Sequence, residues 1–290
     1  MIDGYLLNLG IFAAIYAIAA LGLQLHLGRA GLFNLGAIAF FALGAYGSAI
    51  LTTALHVNGF LAMAIAAVIS TAIALLIGIP SLRTRGDFFA IVALGFAFIV
   101  YSLALNLDWL TGGSLGIAGI PPLAIAGVSF ASIESFFVLS AAFAVAAFAL
   151  MKFAIARSPF GLALAAVRDD ENAALSLGRD STRYKLAAFA IGSAFASIAG
   201  SLFAHYITYI DPSSFTLSAT ILLVAAVILG GSHSVAGAVV GTVLIVLLPE
   251  PARFLQMPEF AIGGIRQLIY SSLLLAVILL KPGGLFEGDD

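Results

Sequence analysis

Residues 60–82 read FLAMAIAAVISTAIALLIGIPSL, an apolar run without one charged side chain. A helix needs about 20 mostly apolar residues to cross the hydrocarbon of a bilayer, and this run is long enough. Lipid offers the backbone no hydrogen-bond partner, so such a run must satisfy its own N–H and C=O groups as a helix. The reading repeats outward in both directions. Further apolar runs lie at 5–27, 36–55, 88–107, 133–153, 185–207, 214–231, 235–250 and 267–281, the run at 235–250 being short. The expected fold is all-α: a polytopic integral membrane helix bundle of about nine transmembrane spans, forming a single transmembrane domain over residues 1–290.

Composition agrees. Hydrophobic residues make up 62% of the 290 and charged residues 9%, where a soluble domain carries roughly 25% charged residues. A chain this poor in charge cannot cover itself with a water-facing surface, so the lipid bilayer is its expected surroundings; the mean hydropathy of +1.16 says the same. The net charge of −2 predicts no nucleic-acid partner. The absence of cysteine excludes disulfides and cysteine metal sites. The opening MIDGYLLNLGIF lacks a basic n-region and a small-residue cleavage site, so the first run is expected to be a retained span that serves as its own insertion signal.

Basic residues set the expected orientation. Arg83 and Arg85 share one short loop, Lys152, Arg157, Arg168, Arg179, Arg183 and Lys185 cluster further on, and Lys281 follows the last run, while residues 108–132 hold no Lys or Arg. This places 83–87, 154–184 and the C-terminus in the cytoplasm. Residues 108–132 then form an outside loop, structured over the pore mouth, and the N-terminus is outside with Arg29 inside. Arg253 and Arg266 fall outside on this count, against the rule. Two glycine-rich breaks stand out, at 28–36 and 229–237; the first is either a tight turn or a broken, partly re-entrant segment. The long polar stretch 154–184 has room for a single amphipathic helix at 169–178, between Pro159 and Gly178.

Missing motifs narrow the function. There is no G-x-x-x-x-G-K-[ST], so no ATP site is expected in this chain. There is no H-E-x-x-H, no G-x-S-x-G and no paired His/Asp cluster, so neither catalytic residues nor metal ligands are expected. Carriers coupled to protons or sodium usually keep ionisable residues within their spans; these spans hold almost none, so the power source is expected elsewhere. His26, at the end of the first run, reads as interface packing and His56 as a solvated loop residue. His205, beside Tyr206 and Tyr209, reads as an aromatic-belt residue or a substrate-path residue. His233 is expected to cap the Gly-Gly-Ser turn. Asn34, Asn106, His205 and Tyr206 are the candidate substrate-pathway residues, because polar side chains in or beside a span are costly unless used.

The segment 158–185, SPFGLALAAVRDDENAALSLGRDSTRYK, carries Glu171, Ala173 and Ala174, with Gly178 four residues after Ala174. It resembles the cytoplasmic Glu-Ala-Ala loop of ABC importer permeases, from which a short helix docks into a groove on the ATPase. The resemblance implies an ATPase-coupling role for Arg168, Asp169, Asp170, Glu171, Ala173, Ala174, Leu177 and Gly178. Small alanines would allow close packing, and Gly178 can take the left-handed conformation that ends a helix. The alternative reading is a solvated amphipathic loop helix. Further stretches follow in order: GRAGLFNLGAIAFFALGAYGSA at 28–49, RTRGDFFAIVALGFAFI at 83–99, LTGGSLGIAGIP at 110–121, TRYKLAAFAIGSAFASIAGSLFAHY at 182–206, ILGGSHSVAGAVVG at 228–241 and KPGGLF at 281–286.

Together these are similar to the permeases of branched-chain amino acid ABC transporters, in the M-type (LivM) half of the pair. That resemblance implies a subunit in a bacterial inner membrane that passes a branched-chain or similar hydrophobic amino acid by alternating access. It also implies a second, H-type permease subunit, two cytoplasmic ATPases that bind the ATP, and a periplasmic or extracellular substrate-binding protein. No cofactor in this chain is implied. Phe98 stands where many relatives carry Glu or Gln, and Ala37 where many carry His or Gln. Both departures remove polarity near the presumed path, which leaves urea or a short-chain amide as the alternative substrate. A secondary carrier or channel is the alternative from another class.

Overall fold

The computed structural model describes residues 2–82, 88–125, 127–248, 272, 275 and 283–286. Helix α1 (Ile2–Gln24) contains no proline and runs straight into a π-helical turn, Leu25–Arg29. Gly31, at φ +65°, breaks the helix there. The chain then folds back, with the Leu32 N–H donating to the carbonyl of His26 at 2.8 Å, before α2 (Ala37–Thr53) begins. Helix α3 (Gly59–Ser81) starts where the Asn58 side chain accepts the N–H of Phe60, and α4 (Phe88–Asn106) follows. Helix α6 (Ile133–Ala149) is capped by Ser132 and passes into a second π-helical stretch, Leu150–Ala156. Helix α9 (Ser181–Ile207) is capped by Asp180. Two shorter helices, α10 (Leu217–Gly230) and α11 (Val235–Leu247), form a hairpin about Gly231, whose φ of +110° suits glycine alone.

Helix α9 is the axis of the bundle, with α1, α2 and α3 packed around it. Its inward face is built from Gly192, Ser193, Ala196, Ser197, Gly200 and Ser201, all buried. Apolar burial gives no drive between helices when lipid is the solvent, so close approach of small residues and interhelical hydrogen bonds must hold them. Both are present. A side chain on Gly200 would strike the carbonyl of Phe41, one on Gly44 would strike Ser197, and the Ser201 hydroxyl donates to the Gly44 carbonyl at 2.9 Å. The outer helices show the reverse pattern: Leu76 on α3, Ile91 on α4 and Val145 on α6 are exposed large apolar side chains, as a lipid-facing surface requires.

Among the described residues, five helices are long and apolar enough to cross a bilayer, while α2, α10 and α11 are apolar but shorter. Each of the first eight expected spans coincides with one of these helices. The expected span at 267–281, the expected cytoplasmic loop 83–87 and the basic residues Arg83, Arg85, Arg253, Arg266 and Lys281 lie outside the described residues.

The segment 108–132 is structured, as expected. It holds a short helix α5 (Asp108–Thr111), then β1 (Ile117–Ala118), β2 (Ala124–Ile125) and β3 (Val128–Ser129). Strand β1 pairs antiparallel with β4 (Tyr209–Ile210), just past the end of α9, and β2 pairs with β3. The polar segment precedes α9 and this loop packs at its far end. The helix has 27 residues, and at 1.5 Å each it separates the two by roughly 40 Å, the thickness of a bilayer with its headgroups.

Candidate functional site

The polar segment is two helices, which corrects the single helix expected at 169–178. Helix α7 (Pro159–Asp169) starts with the Ser158 hydroxyl accepting the N–H of Gly161, and with Pro159 in the first turn, where its missing N–H costs nothing. It ends because Asp170 turns extended, at φ −149°. The Asp170 carboxylate then accepts the N–H groups of Asn172 and Ala173, each at 3.0 Å, and opens α8 (Glu171–Ser176). An aspartate that can satisfy two orphan donors favours starting a new helix over continuing the old one. Helix α8 closes on Gly178 at φ +78°, with the Arg179 N–H on the Ala174 carbonyl and the Gly178 N–H on Leu175, both at 2.9 Å.

This geometry sorts the candidate coupling residues into two groups. Asp169, Asp170, Glu171, Ala173, Leu177 and Gly178 are exposed, and Leu177, at 83% exposed, is the most open large apolar side chain among the described residues. Leu162 on α7 and Leu175 on α8 are exposed as well. Ala174 is buried against the bundle. Arg168 points inward: its guanidinium donates to the carbonyl of Gly28 at 2.5 Å and forks onto Asp169 at 2.6 and 2.9 Å. Lys185 on α9 donates to Glu171 at 2.8 Å. Such half-exposed ion pairs stabilise little, but they fix the direction in which α8 presents its leucines.

Beneath the segment lies a junction of four chain stretches. Gly28 packs so closely on the backbone of Ser232 that no side chain fits between them, and the Gln24 amide donates to the Ser232 carbonyl at 3.2 Å. Residues 283–286 lie against the end of α10, the Leu285 and Phe286 N–H groups donating to the carbonyls of Leu229 and Gly230 at 2.9 and 3.0 Å. The turn between α10 and α11 is closed by Ser234, which accepts the N–H of Gly237 at 3.1 Å. His233, expected to cap it, is exposed, and its imidazole meets Ser232 at 3.2 Å. Partial desolvation, and next the charge of Arg168, hold His233 below the usual histidine range.

The four candidate pathway residues are not gathered around one space. Asn34 is fully buried. Its amide nitrogen meets His26 Nδ1 at 2.9 Å and its oxygen accepts the Gly36 N–H at 2.8 Å, while His26 Nε2 donates to the Phe189 carbonyl at 3.1 Å. His26 is therefore a buried staple for the break at 28–36, not an interfacial residue. His205 is likewise 1% exposed, which removes the aromatic-belt reading. Its Nδ1 donates to the Pro121 carbonyl at 2.7 Å and its Nε2 accepts from Ser48 at 2.8 Å, tying α9 to α2 and to the loop. Tyr206 donates to Asn8 at 2.6 Å with its ring on Phe12 and Phe136. Asn106 is exposed at the end of α4 and donates to Ser102 at 2.7 Å. His56 is exposed between α2 and α3, as expected.

Two cavities have no sequence signal of their own. One, of about 240 Å³, lies between the middle of α4 and the start of α10, with Phe98 in its wall. The other, of about 220 Å³, lies between α2, α3 and α4 beneath α5. Phe98, noted above only as a departure from the family pattern, is thus a cavity residue.

Residues 5–281 match the family described as "Branched-chain amino acid transport system / permease component". The chain is 35% identical to the high-affinity branched-chain amino acid transport system permease protein LivM of Salmonella typhimurium, over 96% of this chain and 69% of that one. It is 34% identical to the Escherichia coli protein of the same description, over 98% and 71%. It is 27% identical to a probable branched-chain amino acid transport permease protein LivM of Methanocaldococcus jannaschii, over 78% and 67%. No solved structure matches the chain.

Proposed function

The chain belongs to the family of branched-chain amino acid transport permeases, and on that footing we propose that it passes branched-chain or similar hydrophobic amino acids across a bacterial inner membrane as the M-type subunit of an ABC importer. It is a membrane permease subunit and not an enzyme. The observation that carries the reading is α8: a capped, exposed helix bearing Leu177 and Leu175 at one end of the bundle, in a chain matched to the permease family over almost its whole length. In this reading residues 154–184 and the C-terminus face the cytoplasm and residues 108–132 face outside, with about nine spans between them. An H-type permease subunit completes the pore, two ATPases bind the ATP, and a binding protein delivers the substrate to the outer face. This chain holds no cofactor of its own.

The path for force is short. An ATPase groove that grips Leu177 and Leu175 moves α8. Glu171 passes the movement to α9 through Lys185, and Arg168 passes it to the end of α1 through Gly28. Because α9 is the packed axis, shifting its polar end re-aims the helices around it. The test is uptake of labelled leucine, and in parallel urea, by vesicles holding the complete transporter. Leucine uptake that needs ATP, and that Gly178→Pro or Glu171→Arg uncouples from hydrolysis, is the expected result. Urea uptake alone would replace the substrate, and uptake without the ATPases would overturn the importer mechanism.

A further inference from the structure

We infer that the apolar groove between α6 and α11, floored by α1, binds one acyl chain of an anionic phospholipid whose phosphate is held at the groove mouth by Lys152. The site goes beyond the transport reading above. It concerns how the subunit is seated in the bilayer, and it stands or falls apart from the identity of the solute.

Helices α6 and α11 each pack along α1 but scarcely on each other, so a gap runs between them. It is a groove of about 360 Å³. Small side chains make its room: Ala17 on α1, Ala144 on α6 and Ala236 on α11 leave space that leucines would fill, and Val145, Phe148 and Val240 form the sides. The lining is apolar throughout, so water finds nothing to bond there. Val145 and Val240 are exposed, and the groove is open to the bilayer along them. It lies towards the end of the bundle that carries the polar segment 154–184. Ala236 is in the first turn of α11, next to the α10–α11 turn, and Phe148 just precedes the π-helical stretch Leu150–Ala156. From Ala144 to Lys152 the helix rises about 12 Å, close to the roughly 15 Å of hydrocarbon in one leaflet. An acyl chain laid along α6 fits that length, whereas the span of a partner protein would run the full 30 Å or so of hydrocarbon.

The second observation is the charge at the mouth. The Lys152 ammonium lies over the Phe148 ring, 5.8 Å from its centroid, and Phe148 is a wall of the groove. The aromatic face holds the cation at the foot of the groove, where a phosphate attached to a chain above would arrive. Arg157 follows, exposed, with its guanidinium 5.6 Å from the centroid of the Phe153 ring. Among the described residues the carboxylates at this end are already engaged: Asp169 with Arg168, Glu171 with Lys185, Asp180 with Arg183, and Asp170 with the N–H groups that open α8. An apolar groove with cations at its foot matches a lipid that is apolar along its length and negative at its head. A zwitterionic headgroup would bring its own cation against Lys152, and a free phosphate would gain nothing from the groove.

The test is thermal melting of the complete transporter in detergent, titrated with phosphatidylglycerol or with phosphatidylcholine of the same chains. Phosphatidylglycerol should raise the melting temperature by roughly 5 °C more than phosphatidylcholine does. Lys152→Gln should remove that difference, and Lys152→Arg, which keeps the charge, should retain most of it. Val240→Phe, which fills the groove from its edge, should melt like the unaltered complex without lipid and lose the shift with it; Ala144→Leu serves if that variant does not assemble. Val68→Phe makes the same change on the exposed face of α3 and should keep the shift. Glycerol phosphate, the headgroup without chains, should give none. Equal stabilisation by the two lipids overturns the site, as does a phosphatidylglycerol shift that survives both Lys152→Gln and the groove-filling variants. A shift from glycerol phosphate as large as that from phosphatidylglycerol overturns the acyl groove. Melting needs no transport, so absent leucine uptake would overturn the permease reading and leave this site untouched.

Discussion

Replacing Gly28 by alanine should break the junction that joins the polar segment 154–184 to the bundle. The new methyl would lie 2.7 Å from the carbonyl carbon of Ser232 and closer still to its oxygen, where ordinary contact begins at 3.4 Å. The obstacle is backbone, which cannot swing away, so the π-helical turn and the α10–α11 turn must part by about 1.3 Å or more to bring the carbonyl oxygen out to 3.0 Å. Forced separation of packed elements costs about 1–3 kcal/mol. The Gln24 to Ser232 bond is stretched at the same time, at about 1 kcal/mol more, and the Arg168 bond to the Gly28 carbonyl loses its alignment. A loss of about 2–4 kcal/mol lowers the melting temperature of a chain this size by roughly 5–15 °C. Gly95→Ala is the matched control: it makes the same chemical change on α4 with nothing within 4 Å of the new methyl, and its helix propensity gains up to about 1 kcal/mol. The assay is thermal loss of the monodisperse complex in detergent, paired with leucine uptake in vesicles. Melting and uptake of Gly28→Ala indistinguishable from Gly95→Ala would refute the argument that this junction is close-packed and mechanically continuous.

Leu177→Asp should leave stability within about 0.5 kcal/mol, since the side chain is 83% exposed, yet abolish ATP-dependent uptake; normal uptake by the variant would remove Leu177 from the docking surface. Asp170→Ala removes the acceptor of two N–H groups and should cost about 1 kcal/mol, read as faster amide exchange confined to residues 171–176. His233 is held below its ordinary value of 6.5, so the folded protein resists a proton that the unfolded chain accepts. The stability this contributes is present above that ordinary value and is lost as the pH falls below it. A melting curve taken against pH should fall on the acid side of 6.5 for the native complex and fall less for His233→Gln; equal slopes would show that His233 is not the group responsible.

How much could be read before the structure depended on how far apart the partners are. The helical character of the polar segment 154–184 was legible because its signals are local: Pro159 after Ser158 for a helix start and Gly178 for a helix stop. Its division at Asp170 is local too, and the Asp-Asp-Glu run that caps α8 is the signal that the single-helix reading passed over. The pathway candidates fared differently. Asn34 and His205 are polar side chains in apolar surroundings, and cost alone marks them for use. What the structure adds is their partners: Asn34 bonds His26 across the break at 28–36, and His205 joins Ser48 to Pro121.

By itself the sequence determined that the chain lives in lipid, that its apolar runs are helices, and which stretch lies outside the hydrocarbon. Each of these follows from a single free energy of transfer summed over neighbouring residues. Only the tertiary structure decided which helix is the axis, that Gln24 reaches Ser232 across 208 residues, and that Phe215 lines one cavity and packs on Tyr46, which lines another. A cavity is the space left by several helices whose side chains do not fill it, and no one stretch of sequence contains all of its walls.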